Sequence, residues 1–385
     1  MLDLLIKNGV LLDPETGRQA AGAVGVKDGV ICFKGKGEDL NAPEAERVID
    51  ADGAYIFPGW IDAHTHLFTG GSGFGVNADL LFPSGAVAAV DMGTAGTANF
   101  EAFYMTDMLP RTMDVRAFIN LSPVGQPGAG IFEPLGEKAV DEGKIKALAE
   151  KYRERILGIK VRISREIVGS LGLSPLAQAV EIGERLGLPV CVHTTNPPED
   201  PGRIVSMLRP GDIYSHMYHH KGMTILDGSG SVKEEFFRAA ERGVFLELGN
   251  GRMNFSFRVA KSAMEQGLFP DIISSDATAR TFANAPDMKD LSYVASKLWN
   301  MGMPLHKVIR AVTETPARAL GLSETYGRLE EGRPAHITVA RVMEKPVRFV
   351  DSEKGSFSGS RLLSPELAVS CGRILYMQGR CGFAV

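Results

Sequence analysis

Six side chains able to hold a cation or move a proton stand at the ends of apolar runs: His64 and His66, Lys160, His193, His216 and Asp276. The first pair closes the run Phe57-Pro58-Gly59-Trp60-Ile61-Asp62-Ala63-His64-Thr65-His66. Residues i and i+2 of a β-strand point to the same side. Two imidazoles therefore leave one strand face and aim at one point, a chelating geometry for zinc, iron, nickel or copper. Taken alone, the pair is equally a surface strand with two unrelated histidines. The other four also have plain readings. Asp276 suits a helix cap, and His193 a hydrogen-bonded core histidine. His216 suits a surface cluster with His219 and His220, and Lys160 a salt bridge. What joins the six is their common placement at strand ends.

From about residue 57, apolar runs of strand length alternate with helical patterns, the signature of a parallel sheet. The first run ends at Asp62-Ala63-His64. Others span 86–91, 115–120, 156–161, 189–193, 212–216, 244–248 and 272–276. Helical stretches are expected over 144–155, 174–186, 232–242, 287–301 and 304–315, the second opened by the Ser174-Pro175 pair. This many βα units in roughly 250 residues is the size of a TIM barrel. A doubly wound open sheet is the competitor, but no glycine-rich phosphate fingerprint follows an early strand. Both chain ends carry short β-runs punctuated by glycine turns, including 336–340, 368–370 and 373–376, with a polar loop over 352–360. The expected fold is α/β: a (β/α)8 TIM barrel over 57–321, with a small β-sandwich domain formed by 1–56 and 322–385. In such a barrel the C-terminal strand ends meet on one face, where active sites sit.

The chain has 385 residues, 44% of them hydrophobic and 23% charged, with a formal net charge of -4. With no basic stripe, a nucleic-acid partner is not expected. The start, Met1 to Lys7, has no long apolar segment or cleavage pattern, and no run is long enough to span a bilayer. A cytoplasmic location away from membranes is the expectation. Cys32, Cys191, Cys371 and Cys381 are scattered, which suits neither a disulfide framework nor a cysteine zinc site.

The motifs Pro58 to His66, Gly158-Ile159-Lys160-Val161-Arg162, Val192-His193-Thr194, Ser215-His216 and Ser274-Ser275-Asp276 follow the order H-x-H, K, H, H, D. With them the chain resembles the amidohydrolase superfamily over nearly its whole length. Val90 to Gly96 and Thr313 to Gly321 look like its amidohydrolase/deacetylase, dihydroorotase-like branch. The resemblance implies two divalent metal ions, zinc foremost. His64, His66 and Asp276 would hold the buried ion, and His193 and His216 the more exposed one. Lys160 would bridge both after carbon dioxide converts it to a lysine carboxylate, since a protonated ammonium has no lone pair to offer. A water shared by the metals would ionise near neutral pH, with Asp276 as catalytic proton shuttle. The implied reaction is hydrolysis of an acyl C–N or C–O bond, deacetylase-like, on a small N-acyl or O-acyl carboxylate. The alternatives are a cyclic-amide hydrolase of dihydroorotase type, a deaminase, or a non-catalytic family member. A homo-oligomer is also expected.

Substrate contacts are drawn more thinly. Arg162 lies two residues past Lys160 and could meet a substrate carboxylate or form a structural salt bridge. Asn250 stands between two glycines where members of the branch tend to carry histidine. Tyr218 or His219, just past the sixth run, could line the pocket or lie at the surface. Gly70 to Gly75 could be a mobile loop over the site or a simple turn. His336, which replaces a usual aspartate, belongs to the small β-domain, and His220 and His306 read as structural or surface residues.

Overall fold

The computed structural model describes residues 1–36, 42–282 and 290–378. Seven parallel strands form one curled sheet: β6 (Trp60–Thr65), β7 (Ala86–Gly96), β8 (Asp114–Asn120), β9 (Ile156–Arg162), β10 (Val190–His193), β11 (Ile213–Ser215) and β12 (Phe245–Glu247). They are hydrogen-bonded in sequence order. The eighth run forms no continuous ladder. It crosses the gap through isolated parallel bridges, Ile272 to Glu247 on one side and Ala277 to Thr65 on the other. Leu248 N donates to Ile272 O at 2.9 Å, and Asp276 N to His64 O at 2.8 Å. Asp62 adds a side-chain tie, accepting from Ser275 N at 3.0 Å and Ser275 Oγ at 2.5 Å.

These strands are near-continuous apolar runs because both faces of a barrel strand are covered. All eleven residues of β7 are buried. The helices Ser174–Leu186, Glu234–Glu241 and Phe257–Glu265 lie between barrel strands in the chain, and Leu291–Asn300 and Leu305–Val312 follow them; each buries an apolar stripe except Leu291–Asn300, which is buried over most of its surface, Lys297 included. The helix expected over 144–155 stops at Lys151. Thr313 interrupts the one expected over 304–315, and a second helix follows over Glu314–Ala319. Of the stretch expected over 287–301, residues 287–289 lie outside the described residues.

The chain ends share a single second sheet. Its members are β1 (Leu4–Leu12), β2 (Gln19–Lys27), β3 (Val30–Lys36), β4 (Val48–Asp50), β5 (Tyr55–Pro58), β13 (Ile337–Val350), β14 (Ser356–Ser370) and β15 (Arg373–Met377). The order is β15-β14-β13-β5-β1-β2-β3, with β4 paired to β1. The seam between the two ends is the antiparallel β5–β13 pair, Ile337 opposite Pro58. Leu4, Ile6, Val24, Ile56, Ile337, Val339 and Leu367 form a core of their own. One expected loop is structured: residues 356–360 open β14. Their exposure alternates, and Phe357 packs on Phe257 at 6.1 Å between centroids. Ser356, Ser358 and Ser360 therefore face outward from a long hairpin.

Candidate metal centre

At the C-terminal mouth of the barrel, a pocket of about 240 Å³ is lined by His64, His66, Lys160, His193, His216 and Asp276. Arg162, Phe74, Asn254 and Arg252 also line it. The six strand-end residues are thus brought together. Ligand atoms of His64, His66 and Asp276 lie within 4.8 Å of one another. Asp276 Oδ1 is 3.3 Å from His66 Nε2 and 3.7 Å from His64 Nε2. The His216 ring stacks at an angle on both His64 and His193, with centroids 5.0 and 4.4 Å apart. Two of these residues, His216 and Asp276, have left-handed backbones with φ of 64° and 52°. This region is sparsely populated for non-glycine residues and recurs at functional sites.

Three of the imidazoles are oriented from behind. His64 Nδ1 lies 3.2 Å from Glu247 Oε2, and the carboxylate also accepts from the hydroxyls of Ser215 and Ser274. His216 Nδ1 donates to Gly249 O at 2.9 Å. A carbonyl or a carboxylate can only accept, so both rings carry their proton on Nδ1 and present the Nε2 lone pair to the pocket. His66 Nδ1 is 2.8 Å from Thr94 Oγ1. Thr94 is itself set by Asp91, whose carboxylate accepts from Thr94 N and Leu67 N, each at 2.7 Å. Asp276 uses its second oxygen to accept from Asn254 Nδ2 at 2.8 Å, and Asn254 Oδ1 accepts from Thr195 Oγ1 at 2.8 Å.

The electrostatics suit a cation. Burial first, then the Lys160 charge, holds His64 well below the ordinary imidazole range. Burial and His216 do the same for His193, and burial and His64 bring His216 to about 3. Burial alone would raise Asp276, but the surrounding imidazoles outweigh it and hold the carboxyl at about 2. Neutral imidazoles with free lone pairs beside an ionised carboxylate are the protonation states that metal binding requires. The donor set therefore fits a divalent ion. Lys160 is buried, and among the described residues its hydrogen-bond partner is the Cys191 thiol at 3.3 Å. Gly93, at φ 78°, makes room for it; a Cβ there would lie 2.6 Å from Lys160 Cβ.

The expected substrate contacts divide. Arg162 lines the pocket but is held by Glu133 at 2.5 Å. Asn250 and Tyr218 do not line it. Asn250 lies between Gly249 and Gly251, both at left-handed φ; its side chain is buried against Lys297. Tyr218 follows the left-handed turn at His216 into the core, where its hydroxyl donates to Leu268 O at 2.7 Å. His219 is buried as well, with neither ring nitrogen hydrogen-bonded among the described residues. His220 Nδ1 lies 2.9 Å from Ser352 Oγ, on the turn of the long hairpin. The 70–75 loop is pinned, with Gly73 N on Pro127 O at 2.9 Å and Ser72 Oγ on Gln126 O at 2.6 Å. It brings Phe74 to 5.9 Å from the His66 ring.

Glu247, Thr94, Asn254 and Glu133 went unnoticed in the sequence. Glu247 left a signal as the one charge in the apolar run 244–248, and Thr94 by lying in the Val90 to Gly96 motif.

A parallel barrel that gathers these side chains at its C-terminal mouth has the build of a metal-dependent hydrolase. Residues 55–357 match the model of the amidohydrolase family, and the chain belongs to that family. A deacetylase of Brucella anthropi is 35% identical over 350 residues, covering 89% of this chain and 85% of the relative. A crystal structure of a dihydroorotase superposes with a TM-score of 0.87 at 31% identity, covering 98% of each chain. One of an adenine deaminase gives 0.89 at 26%, covering 97% of this chain and 99% of the other. Similar folds thus carry different names, and the reaction must be argued from the site. Among the described residues no helix is long and apolar enough to cross a membrane.

Proposed function

We propose that this hydrolase is a divalent-metal-dependent deacylase that removes an acyl group from a small N-acyl or O-acyl carboxylate. The observation that carries the reading is the convergence of His64, His66, His193, His216 and Asp276 with buried Lys160 on one pocket. The similarity to a deacetylase over 89% of this chain supports the deacylation chemistry.

His64, His66 and Asp276 would hold one ion and His193 and His216 a second, zinc being the first candidate. Lys160 would stand between them as a carboxylate formed with carbon dioxide. That conversion replaces a buried side chain whose positive charge acts on His64, His193 and His216 with an anion. Bound divalent ions supply Lewis acidity, polarising the acyl carbonyl and lowering the pKa of water. The rest falls to the chain itself. Asp276 accepts the proton of the attacking water and returns it to the leaving nitrogen or oxygen. Asn254 holds its outer oxygen in place for the transfer.

Arg252 is the favoured partner for a substrate carboxylate. Arg162 and Lys221 already face Glu133 and Glu166, whereas Arg252 lines the pocket without a hydrogen bond or ion pair among the described residues. Phe74 and Met253 line the same mouth and would exclude water around the acyl group.

The dihydroorotase superposition favours one second reading, hydrolysis of a cyclic amide. A screen of metal-loaded protein against N-acetyl amino acids, O-acetyl hydroxy acids and five- and six-membered cyclic amides separates the two. Turnover of the acetylated carboxylates is the expected result; turnover confined to the cyclic amides would replace it with the second reading.

A further inference from the structure

We infer that Lys297 is a positioning residue for the metal centre, acting through Asn250 and the loop 249–251. The inference rests on the metal-site reading above. Lys297 is fully buried on the helix Leu291–Asn300. Its ammonium donates to Asn250 Oδ1 and sits 3.4 Å from the centroid of the Phe255 ring, a favourable cation–π placement. Asn250 is buried too, and its Nδ2 donates to Gly251 O at 3.3 Å. The loop backbone is tied to the eighth segment, with Asn250 N on Ser274 O at 3.1 Å and Gly251 N on Ser275 O at 3.0 Å.

This loop is the wall on which two of the proposed ligands rest. Gly249 O fixes the His216 ring. A Cβ at Gly249 would lie 2.4 Å from His216 Nδ1, and one at Gly251 2.1 Å from Asp276 Oδ2. Backbone in contact with both ligands leaves no slack, so a shift of a few tenths of an ångström at the loop displaces His216 and Asp276 together. The one side chain between the two glycines is Asn250, and Lys297 holds it. An ammonium is costly to bury, and an apolar residue of the same length would fill the space more cheaply. A fixed charge–dipole contact, however, specifies one loop position where apolar packing would tolerate several.

The test uses the full chain stripped of metal and reloaded with Zn2+ or Mn2+ in the presence of bicarbonate. Metal affinity is read by chelator competition, and urea midpoints are measured on the metal-free forms. Lys297→Met is expected to weaken metal binding by about 10- to 100-fold, the usual size of an outer-sphere effect, while the metal-free midpoint holds or rises. Asn250→Leu is expected to do the same, and the double variant to lose no more than either single one, because the two act as one unit. Lys297→Arg is expected to recover part of the affinity. Wild-type affinity in Lys297→Met, losses that add in the double variant, or a loss that tracks a fallen midpoint would each overturn the inference. If Lys297→Met does not fold, Asn250→Leu against Asn250→Asp, which keeps the acceptor, decides it in the same way. A wild-type chain that binds neither metal would overturn the metal-site reading itself, and this inference with it.

Discussion

Replacing Glu247 separates orientation of a ligand from stability of the barrel. The carboxylate is buried beneath His64, accepting from its Nδ1–H and from the hydroxyls of Ser215 and Ser274. In Glu247→Gln the shape is kept and one oxygen still faces the imidazole, but the negative charge is gone. The two serine hydroxyls can rotate to meet the new amide. The metal-free fold therefore loses only the difference between charged and neutral hydrogen bonds, about 1–2 kcal/mol. His64 loses the charge that makes it a stronger donor to a cation. Outer-sphere partners of this kind change metal affinity by about 10- to 100-fold, or about 1.4–2.8 kcal/mol. Glu247→Ala instead orphans an N–H and two hydroxyls at about 1–3 kcal/mol each, so it should lower the urea-derived stability well beyond the glutamine variant. Chelator competition on the reloaded protein reads the first effect and urea titration of the metal-free protein the second. If Glu247→Gln binds Zn2+ within twofold of wild type, Glu247 does not tune His64 and the oriented-ligand reasoning is wrong.

Asp276→Asn should lower kcat by about 10²- to 10⁴-fold, the range for losing a general base; near-wild-type turnover by metal-loaded protein would remove Asp276 from the proton path. Arg252→Met should raise KM for an N-acyl carboxylate by about 10-fold or more, the loss of a charged hydrogen bond, and leave KM for an uncharged acyl amide unchanged; equal effects on both would place the carboxylate elsewhere. Stability should fall as pH drops from about 6.5 towards 4. Burial holds His219 to about 3 and His336 to about 4 in the folded chain, so the unfolded chain takes up protons that the folded one refuses. Each contributes a slope of up to about 1.4 kcal/mol per pH unit. Urea midpoints that stay level between pH 7 and 5 would contradict this.

The barrel was legible because its strands are buried on both faces and so read as near-continuous apolar runs, such as 86–90 and 156–159. The eighth run was legible as apolar, but not as a segment that bridges rather than pairs: Ser275 N–H goes to the Asp62 carboxylate and the backbone turns left-handed at Asp276, which breaks the ladder without breaking the barrel. The pairing of the chain ends followed from both being β-rich. The length of the β13–β14 hairpin did not, since its outer half is polar and exposed. Residues that orient ligands were harder still. Thr94, near the end of β7, and Asn254 are ordinary polar residues in sequence, and only the fold brings them within 2.8 Å of His66 and Asp276.

The limit of the sequence reading has a single physical cause at two places. Alternation along a strand predicts side-chain direction only while φ stays negative. It holds at His64 and His66, on a strand that stays extended. It fails after His216, and again between Gly249 and Gly251, because the backbone turns left-handed there. Those reversals carry Tyr218 into the core, although it stands two residues past His216 where an extended chain would have faced the pocket, and they turn Asn250 towards Lys297. They are also useful to the site. A left-handed His216 bends the chain at the strand end so that its ring reaches back over His64, and the glycine pair lets backbone, with no Cβ in the way, press against His216 and Asp276. The geometry that hides the substrate side from the sequence is therefore the same geometry that closes the ligand set. Residues next to such turns are the ones whose direction must be taken from the structure.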